Sequence, residues 1–312
     1  MKLSIVATLY NSESYIAEFL LRASNAAKQL VGNDFEIILV NDGSPDKSLE
    51  LSREFTKNNE NLVIVDLSRN FGHHKAMMTG LAYAKGDKVF LIDSDLEEEP
   101  EWLLLFSKQM SLKNCDVVCG IQEHRKGDLF ERWSGIIFYS TFRWLSGLDL
   151  PKNLVVARLM SRRYVNALLT HMESELFMAG LWVITGFDQQ PYKVVKHNCS
   201  ETTYSFYKKI SQFINSVTAF SKRPLLGIFI IGCFIFMISA LWAGYLIVNW
   251  LFWERPPNGY TSLMASIWLL GGMVTAFLGI IGIYLSKVYS ETKQRPYTII
   301  RNIYKSADFR EG

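Results

Sequence analysis

The sequence predicts an α/β protein: a mostly parallel sheet with helices on both faces, followed by two membrane-spanning helices. Three observations carry this. Over the first 120 residues short apolar runs alternate with amphipathic stretches; two long segments near the C-terminus contain no charge; and the composition, 49% hydrophobic and 20% charged with 20 Gly and 8 Pro, is that of a chain with a packed core rather than a disordered or collagen-like one. The 33 basic and 30 acidic residues leave a net charge of +3, so no broad basic field speaks for nucleic acid.

Strand patterns fall at Leu3 to Leu9, Glu36 to Val40, Leu62 to Leu67, Lys88 to Ile92 and Asp116 to Cys119. Between them Ser14 to Leu30, Asp46 to Asn58, Gly72 to Lys85 and Pro100 to Lys113 carry apolar residues at three and four spacing, the mark of amphipathic helices. Strands alternating with helices imply a parallel sheet covered on both faces. Ligands of such sheets bind at the carboxyl ends of the strands, so chemistry is sought just after each strand.

From Leu225 to Trp253, and again from Pro256 to Ser286, there is no Asp, Glu, Lys or Arg. An apolar core ~30 Å thick needs about 20 helical residues, so each run is long enough to span. Pro256, Pro257 and Gly259 punctuate the link between them as a hairpin. Lys222 and Arg223 precede the first run, and Lys287, Lys293, Arg295, Arg301, Lys305 and Arg310 follow the second, which by the positive-inside rule sets both termini in the cytoplasm. The start of the chain has no signal-peptide layout, so the spans themselves direct insertion. The expected organisation is a cytoplasmic domain over 1–200, an amphipathic juxtamembrane helix over 201–224, a transmembrane hairpin over 225–286 and a cytoplasmic tail over 287–312. Leu129 to Leu145 and Tyr204 to Phe220 mix aromatic with basic residues as interfacial helices do. Gly271, Gly272, Gly279 and Gly282 would let spans approach closely, which leaves a homo-oligomer open. Cys115, Cys119, Cys199 and Cys233 read as core or membrane residues, and the histidines form no zinc array.

Three polar clusters follow strands two to four: Asn41-Asp42-Gly43-Ser44, Ser68-Arg69-Asn70-Phe71-Gly72-His73 and Asp93-Ser94-Asp95-Leu96-Glu97. Asp93, Asp95 and Glu97 alternate at period two, so an extended chain aims their carboxylates one way. That suits Mg²⁺ or Mn²⁺, which takes one or two carboxylates and fills its shell with water and substrate phosphate oxygens. Glu98, Glu99 and Glu101 are expected in the following helix and in solvent, near its positive N-terminal end, with Pro100 in the first turn. No glycine-rich phosphate loop occurs, which leaves the phosphates to a metal.

These segments resemble family-2 glycosyltransferases of GT-A fold, in the branch of dolichol-phosphate mannose synthases and bactoprenol glucosyltransferases. The resemblance rests on Ser68 to His73, Asp93 to Leu96, Arg158 to Arg162, Phe220 to Leu225 and Gly282 to Tyr297, in that order along nearly the whole chain. It implies inverting transfer of a sugar, from a UDP-hexose or UDP-N-acetylhexosamine, to undecaprenyl phosphate for surface polysaccharide modification. By position it implies that Thr8, Tyr10, Asn11, Asp42, Arg69, Asn70, Asp93 and Ser94 bind the donor, Asp42 at the base or ribose; that Asp95 and Glu97 hold the metal; that Arg125, Arg158 and Arg162 hold the acceptor phosphate; and that Asp93, Asp95 and Arg158 are catalytic. Lys193 and Lys196 stand where relatives carry arginines, and His73 resembles residues near the donor.

The chain departs from the pattern at several positions. Thr8 replaces a Pro, Ser12 a Glu, Asn41 the first Asp of Asp-Asp-Gly-Ser, Glu97 a Gln and Gln122 an Arg, while Val156 stands where relatives carry an Asp treated as catalytic. A phosphate monoester, with a second pKa near ~6, is mostly dianionic at neutral pH and needs no base to become a nucleophile, so the acceptor class tolerates Val156. The alternatives are a silent nucleotide-sugar-binding scaffold, a glycosyltransferase with another acceptor, or a processive synthase, whose Gln-x-x-Arg-Trp motif is missing at both Arg132-Trp133 and Arg143-Trp144.

Overall fold

A computed structural model describes residues 2–57, 59–122, 153–173, 176–196, 223–252 and 259–306, with isolated residues between 140 and 151 and at 218 and 221. Among the described residues the strands are β1 (Leu3–Leu9), β2 (Phe35–Asn41), β3 (Leu62–Leu67), β4 (Lys88–Leu91), β5 (Val117–Gln122), β6 (Leu154–Ser161), β7 (Gln189–Val194) and β8 (Ile300–Lys305). The helices are α1 (Ile16–Val31), α2 (Ser48–Thr56), α3 (His73–Tyr83), α4 (Trp102–Lys113), α5 (Arg162–Leu168), α6 (Met178–Ile184), α7 (Arg223–Phe252) and α8 (Tyr260–Thr292). The chain divides into a sheet unit and a unit built on α7 and α8.

All eight strands form one sheet in the order β7-β5-β6-β4-β1-β2-β3-β8. The central strands β4, β1, β2 and β3 are parallel, whereas β6 runs antiparallel to β4 and β5, and β8 antiparallel to β3. Every residue of β1 is buried, as a strand covered on both faces requires. Leu3, Ile5, Ala7 and Leu9 join one core with Ile16, Phe19, Ala23 and Ala27 of α1 and Phe106 of α4. On the other face α3 lies so close that a Cβ on Gly80 would come within 2.4 Å of Val6 Cγ1. β3 is followed in sequence by β4, which lies on the far side of β1. The order of strands therefore reverses between β1 and β4, and the carboxyl ends beside such a reversal are where sheets of this kind bind ligands.

Two differences from the expected organisation matter. Ile300–Lys305 is not simply tail: it is the edge strand on β3, from Val63↔Lys305 to Leu67↔Ile300. Of the two long helices, Leu269–Thr292 is long and apolar enough to cross a membrane by length and composition; within α7 the described residues give a shorter apolar stretch, Arg223–Ile235. The expected interfacial stretch 204–220 and most of 129–145 lie outside the described residues, as does the link 254–258.

Candidate active site

The four parallel strands end side by side, so their following residues meet at one edge. Thr8 and Tyr10 from β1, Asp42 from β2, Asn70 after β3 and His73 at the start of α3 line a cavity of about 250 Å³. Asp42 is buried, and both its oxygens are engaged: Oδ1 accepts from Phe71 N–H at 2.7 Å and Oδ2 from Gly72 N–H at 3.0 Å. Burial raises its pKa, against the lowering effect of these two bonds and of His73 and Arg69. Its first task is thus to hold the Phe71–Gly72 turn that forms the cavity wall. Gly43 has φ +61°, and a Cβ there would lie 2.5 Å from Asn70 N, so the 41–44 and 69–70 loops touch through backbone alone.

The substitution of Asn at 41 has a local reason. Asn41 Nδ2 donates to Oδ1 of Asp66, 2.7 Å away and 1% exposed, where a second carboxylate would face the first. Asn11 takes φ 54° and donates its N–H to Ser44 Oγ at 2.8 Å. Ser94, expected at the donor, is buried instead: its hydroxyl donates to Thr8 O at 2.7 Å and lies 3.0 Å from Ser12 Oγ. It ties the post-β4 segment to β1. Ser12, in place of a Glu, is the size that contact requires.

His73 joins the cavity to the carboxylates. Its Nδ1 is 3.1 Å from Thr8 Oγ1 and its Nε2 is 3.3 Å from Asp93 Oδ1, and burial lowers its pKa towards the neutral imidazole. His74 is likewise lowered by burial; its Nδ1 lies 3.0 Å from Leu176 O and its ring meets Phe177 edge-on. It is a packing residue.

Beyond β4 the backbone turns at Leu96, φ 58°, and α4 begins only at Trp102, so residues 93 to 98 form a loop. Asp95 Oδ1 accepts from Glu97 N–H at 3.0 Å, and Glu97 Oε2 pairs with Lys196 Nζ at 2.8 Å. Glu98 is not in solvent as expected but fully buried, its Oε1 accepting from Val156 N–H at 2.8 Å. Glu98 Oε2 and Asp93 Oδ1 are buried without a hydrogen bond. Burial first, and neighbouring carboxylates next, raise Asp93 and Glu98; burial also raises Asp95. Lys196, despite partial burial, is raised by the carboxylates around it. Glu101 does reach the surface, where Arg22 grips it bidentately at 2.7 and 2.9 Å.

No three His, Cys, Asp or Glu groups among the described residues stand close enough to enclose a metal ion by themselves. The donors present are nevertheless hard carboxylate oxygens with an orphaned acceptor at Asp93, which fits an ion of the Mg²⁺ or Mn²⁺ type that completes its shell with water and phosphate.

The expected arginines do not gather here. Arg158 is fully buried in the middle of β6, its guanidinium 2.9 Å from the Trp182 ring centre. Arg162, at the end of β6, donates through Nε to Gly86 O at 2.8 Å, and Arg163 binds Asp116 through Nη2 at 2.7 Å. Because β6 is antiparallel, its end lies beside the starts of β4 and β5, at the sheet edge opposite the carboxylates. Neither Arg158 nor Arg162 is positioned for an acceptor phosphate at the carboxyl edge. Arg125 lies outside the described residues. Arg69, stacked on Phe71 at 4.1 Å, and Lys196 are cations that do stand at this edge. Lys196 and Glu98 are the residues whose place at the carboxylates the motif reading missed: one follows an edge strand, the other was assigned to a helix.

With this geometry described, the relatives can be compared. Residues 4–173 match the model of glycosyl transferase family 2. A Mycobacterium tuberculosis protein named for glycosyltransferases is 47% identical over 306 residues, covering 98% of this chain and 89% of its own. The uncharacterized glycosyltransferase YkcC of Bacillus subtilis is 32% identical over 96% of this chain and 94% of its own. The bactoprenol glucosyl transferase of Shigella phage SfV is 30% identical over 97% of this chain and 99% of its own. The chain belongs to glycosyl transferase family 2, and it is a glycosyltransferase.

Proposed function

We propose that this enzyme transfers a sugar from a nucleotide-sugar donor, a UDP-hexose or UDP-N-acetylhexosamine, to a polyprenyl phosphate on the cytoplasmic face of a bacterial membrane, with inversion at the anomeric carbon. The observation that carries the reading is the cavity at the carboxyl ends of β1, β2 and β3, lined by Asp42 and His73, which His73 joins to the Asp93 carboxylate after β4. A nucleoside fits the cavity, and its diphosphate falls towards the carboxylates. The bactoprenol glucosyl transferase name of a full-length relative supports the lipid acceptor.

In this reading Asp95 and Glu97, beside Asp93, hold Mg²⁺ or Mn²⁺, which when bound supplies electrostatic stabilisation to the departing nucleoside diphosphate. Thr8, Tyr10, Asn11, Arg69 and Asn70 orient the donor. The phosphate acceptor is already dianionic and needs no proton removed, in keeping with the apolar Val156. Its cation partners are Lys196 and Arg69 at this edge and Arg125 from the resemblance.

The fold also supports two spans rather than one. β8 belongs to the same sheet as β1 to β4, so the chain that leaves the sheet unit before α7 and returns after α8 ends on the side where it began. Only an even number of crossings allows that. If Leu269–Thr292 crosses, α7 is the segment that supplies the second passage, and the flanking lysines and arginines set both termini inside.

The test is transfer of labelled sugar from a panel of UDP- and GDP-sugars to undecaprenyl phosphate by the full-length protein in detergent, with Mg²⁺ or Mn²⁺. A lipid product that disappears with EDTA, and carries the inverted anomeric configuration by NMR, is the expected result. Donor binding without turnover on any donor, or retained configuration, overturns the reading.

A further inference from the structure

Arg158 is fully buried, and among the described residues its hydrogen bonds run to backbone carbonyls. Its side chain turns back along its own strand: Nη2 donates to the Val155 carbonyl at 3.3 Å and Nε to the Val156 carbonyl at 3.2 Å. From the other side, Glu98 Oε1 accepts the Val156 N–H at 2.8 Å. The Val155 carbonyl and the Val156 N–H are the two ends of one peptide group. That peptide therefore carries a guanidinium on its oxygen and a carboxyl oxygen on its hydrogen, and the two bonds polarise it in the same sense, so each strengthens the other.

The location gives this arrangement a purpose. β6 pairs with β4 only as far as Leu91↔Arg158, and beyond Leu91 the chain that carries Asp93 and Asp95 has no ladder bonds to β6. On the β1 flank it is tied by Ile92 N–H to Val6 O at 3.0 Å and by Ser94 Oγ to Thr8 O at 2.7 Å. On the β6 flank the tie is Glu98 to Val156. The two carboxylates hang between these ties.

We infer that Arg158 and Glu98 are positioning residues that grip the Val155–Val156 peptide from its two ends and, through it, hold the Asp93–Asp95 segment in the geometry the reaction needs. Burying an arginine and a glutamic acid costs more than apolar packing of the same volume often would, so their presence speaks for placement rather than bulk stability. Neither side chain touches substrate in this role. The kinetic consequence rests on the glycosyltransfer reading above; the mechanical one does not.

The experiment takes full-length wild type, E98A, R158K and the double variant in detergent. It measures transfer kinetics and hydrogen–deuterium exchange over residues 92–99 and 154–161. Lysine reaches one carbonyl where arginine reaches two. Each single variant is expected to lower kcat by about tenfold to a hundredfold, as small misplacements of a reacting group do, with donor KM little changed. The double variant loses no more than the worse single, because both act through one peptide. Exchange rises in both segments in either single variant, and E98Q, which keeps an acceptor oxygen, recovers part of the loss. Losses that add in log kcat, or exchange that rises only in the segment mutated, overturn the inference. If E98A does not fold, E98Q replaces it in the cycle. If wild type transfers no sugar, the functional reading fails alone, and the exchange data still decide whether the clamp exists.

Discussion

The two halves of the carboxyl edge treat buried acids in opposite ways. At the end of β2, Asp42 has a backbone N–H on each oxygen, and the neighbouring Asp66 is bonded to Asn41 and lies 3.6 Å from Arg301. At the end of β4, Asp93, Asp95, Glu97 and Glu98 crowd together with Lys196 as a shared cation; Asp93 Oδ1 and Glu98 Oε2 have no hydrogen bond, as Asp66 Oδ2 has none in the β2 half. A buried acceptor left unsatisfied costs about 1–3 kcal/mol, and more when charged. The difference teaches which half is framework and which is prepared for a ligand. The β2 half sets backbone donors, Asn41 and Arg301 against two acids and shapes a cavity; the β4 half sets one lysine against four acids, and a divalent ion would add positive charge there.

The comparison breaks most sharply at Asp95. Asp95→Asn keeps the side chain's size and removes its charge, and turnover with the preferred donor is expected to fall on the order of 10²–10³-fold, with nucleotide binding in the Asp42 cavity retained. Activity within a few-fold of wild type would remove Asp95 from the site.

Gly43→Ala probes the β2 half. It demands a left-handed conformation from a residue with a Cβ and drives that Cβ against the Asn70 backbone, at a cost of about 2–3 kcal/mol. The expected outcome is a melting temperature lower by about 5–10 °C and a raised donor KM. An unchanged melting curve would show that the two loops can part freely.

The smallest effect is the dependence on pH. Burial pushes Asp93 up to about 7 and Glu98 up to about 8. A carboxyl whose folded pKa is raised stabilises the fold while protonated and loses that stability as pH rises through the folded value. The histidines, lowered by burial, are neutral in the fold between pH 6.5 and 9 and add only a small opposite rise near pH 6.5, where the unfolded imidazoles lose their last protons. The metal-free protein should therefore melt a few degrees lower at pH 9 than at pH 6.5, and Mg²⁺ or Mn²⁺ should restore more at the higher pH. Calorimetry with and without the ion checks this; a melting point that climbs with pH would contradict the account of the β4 half.

Much of the sheet was legible. β1 and β3 lie at the expected residues because long buried apolar runs bounded by polar clusters admit little else. Asp93 and Asp95 were legible as a pair because they directly follow a strand. Glu98 was misread: acidic residues before a helix suit its N-terminal dipole, but here α4 starts at Trp102, and the left-handed turn at Leu96 leads a loop whose Glu98 is buried. Arg158 and Arg162 were misread for another reason. The motif gave their order along the chain but not the direction of β6, and an antiparallel strand carries Arg162 to the far edge.

By itself the sequence determined the alternation of strands and helices, the uncharged helices near the C-terminus and the acids that follow β4. These follow from local periodicity and from the solvation of individual side chains. Only the tertiary structure decided that the segment after α8 returns to the sheet as β8, that β6 runs backwards, and that Glu98 and Arg158 meet across one peptide. Those depend on which distant strands pair and in which direction, and that is set by burying the whole sheet at once.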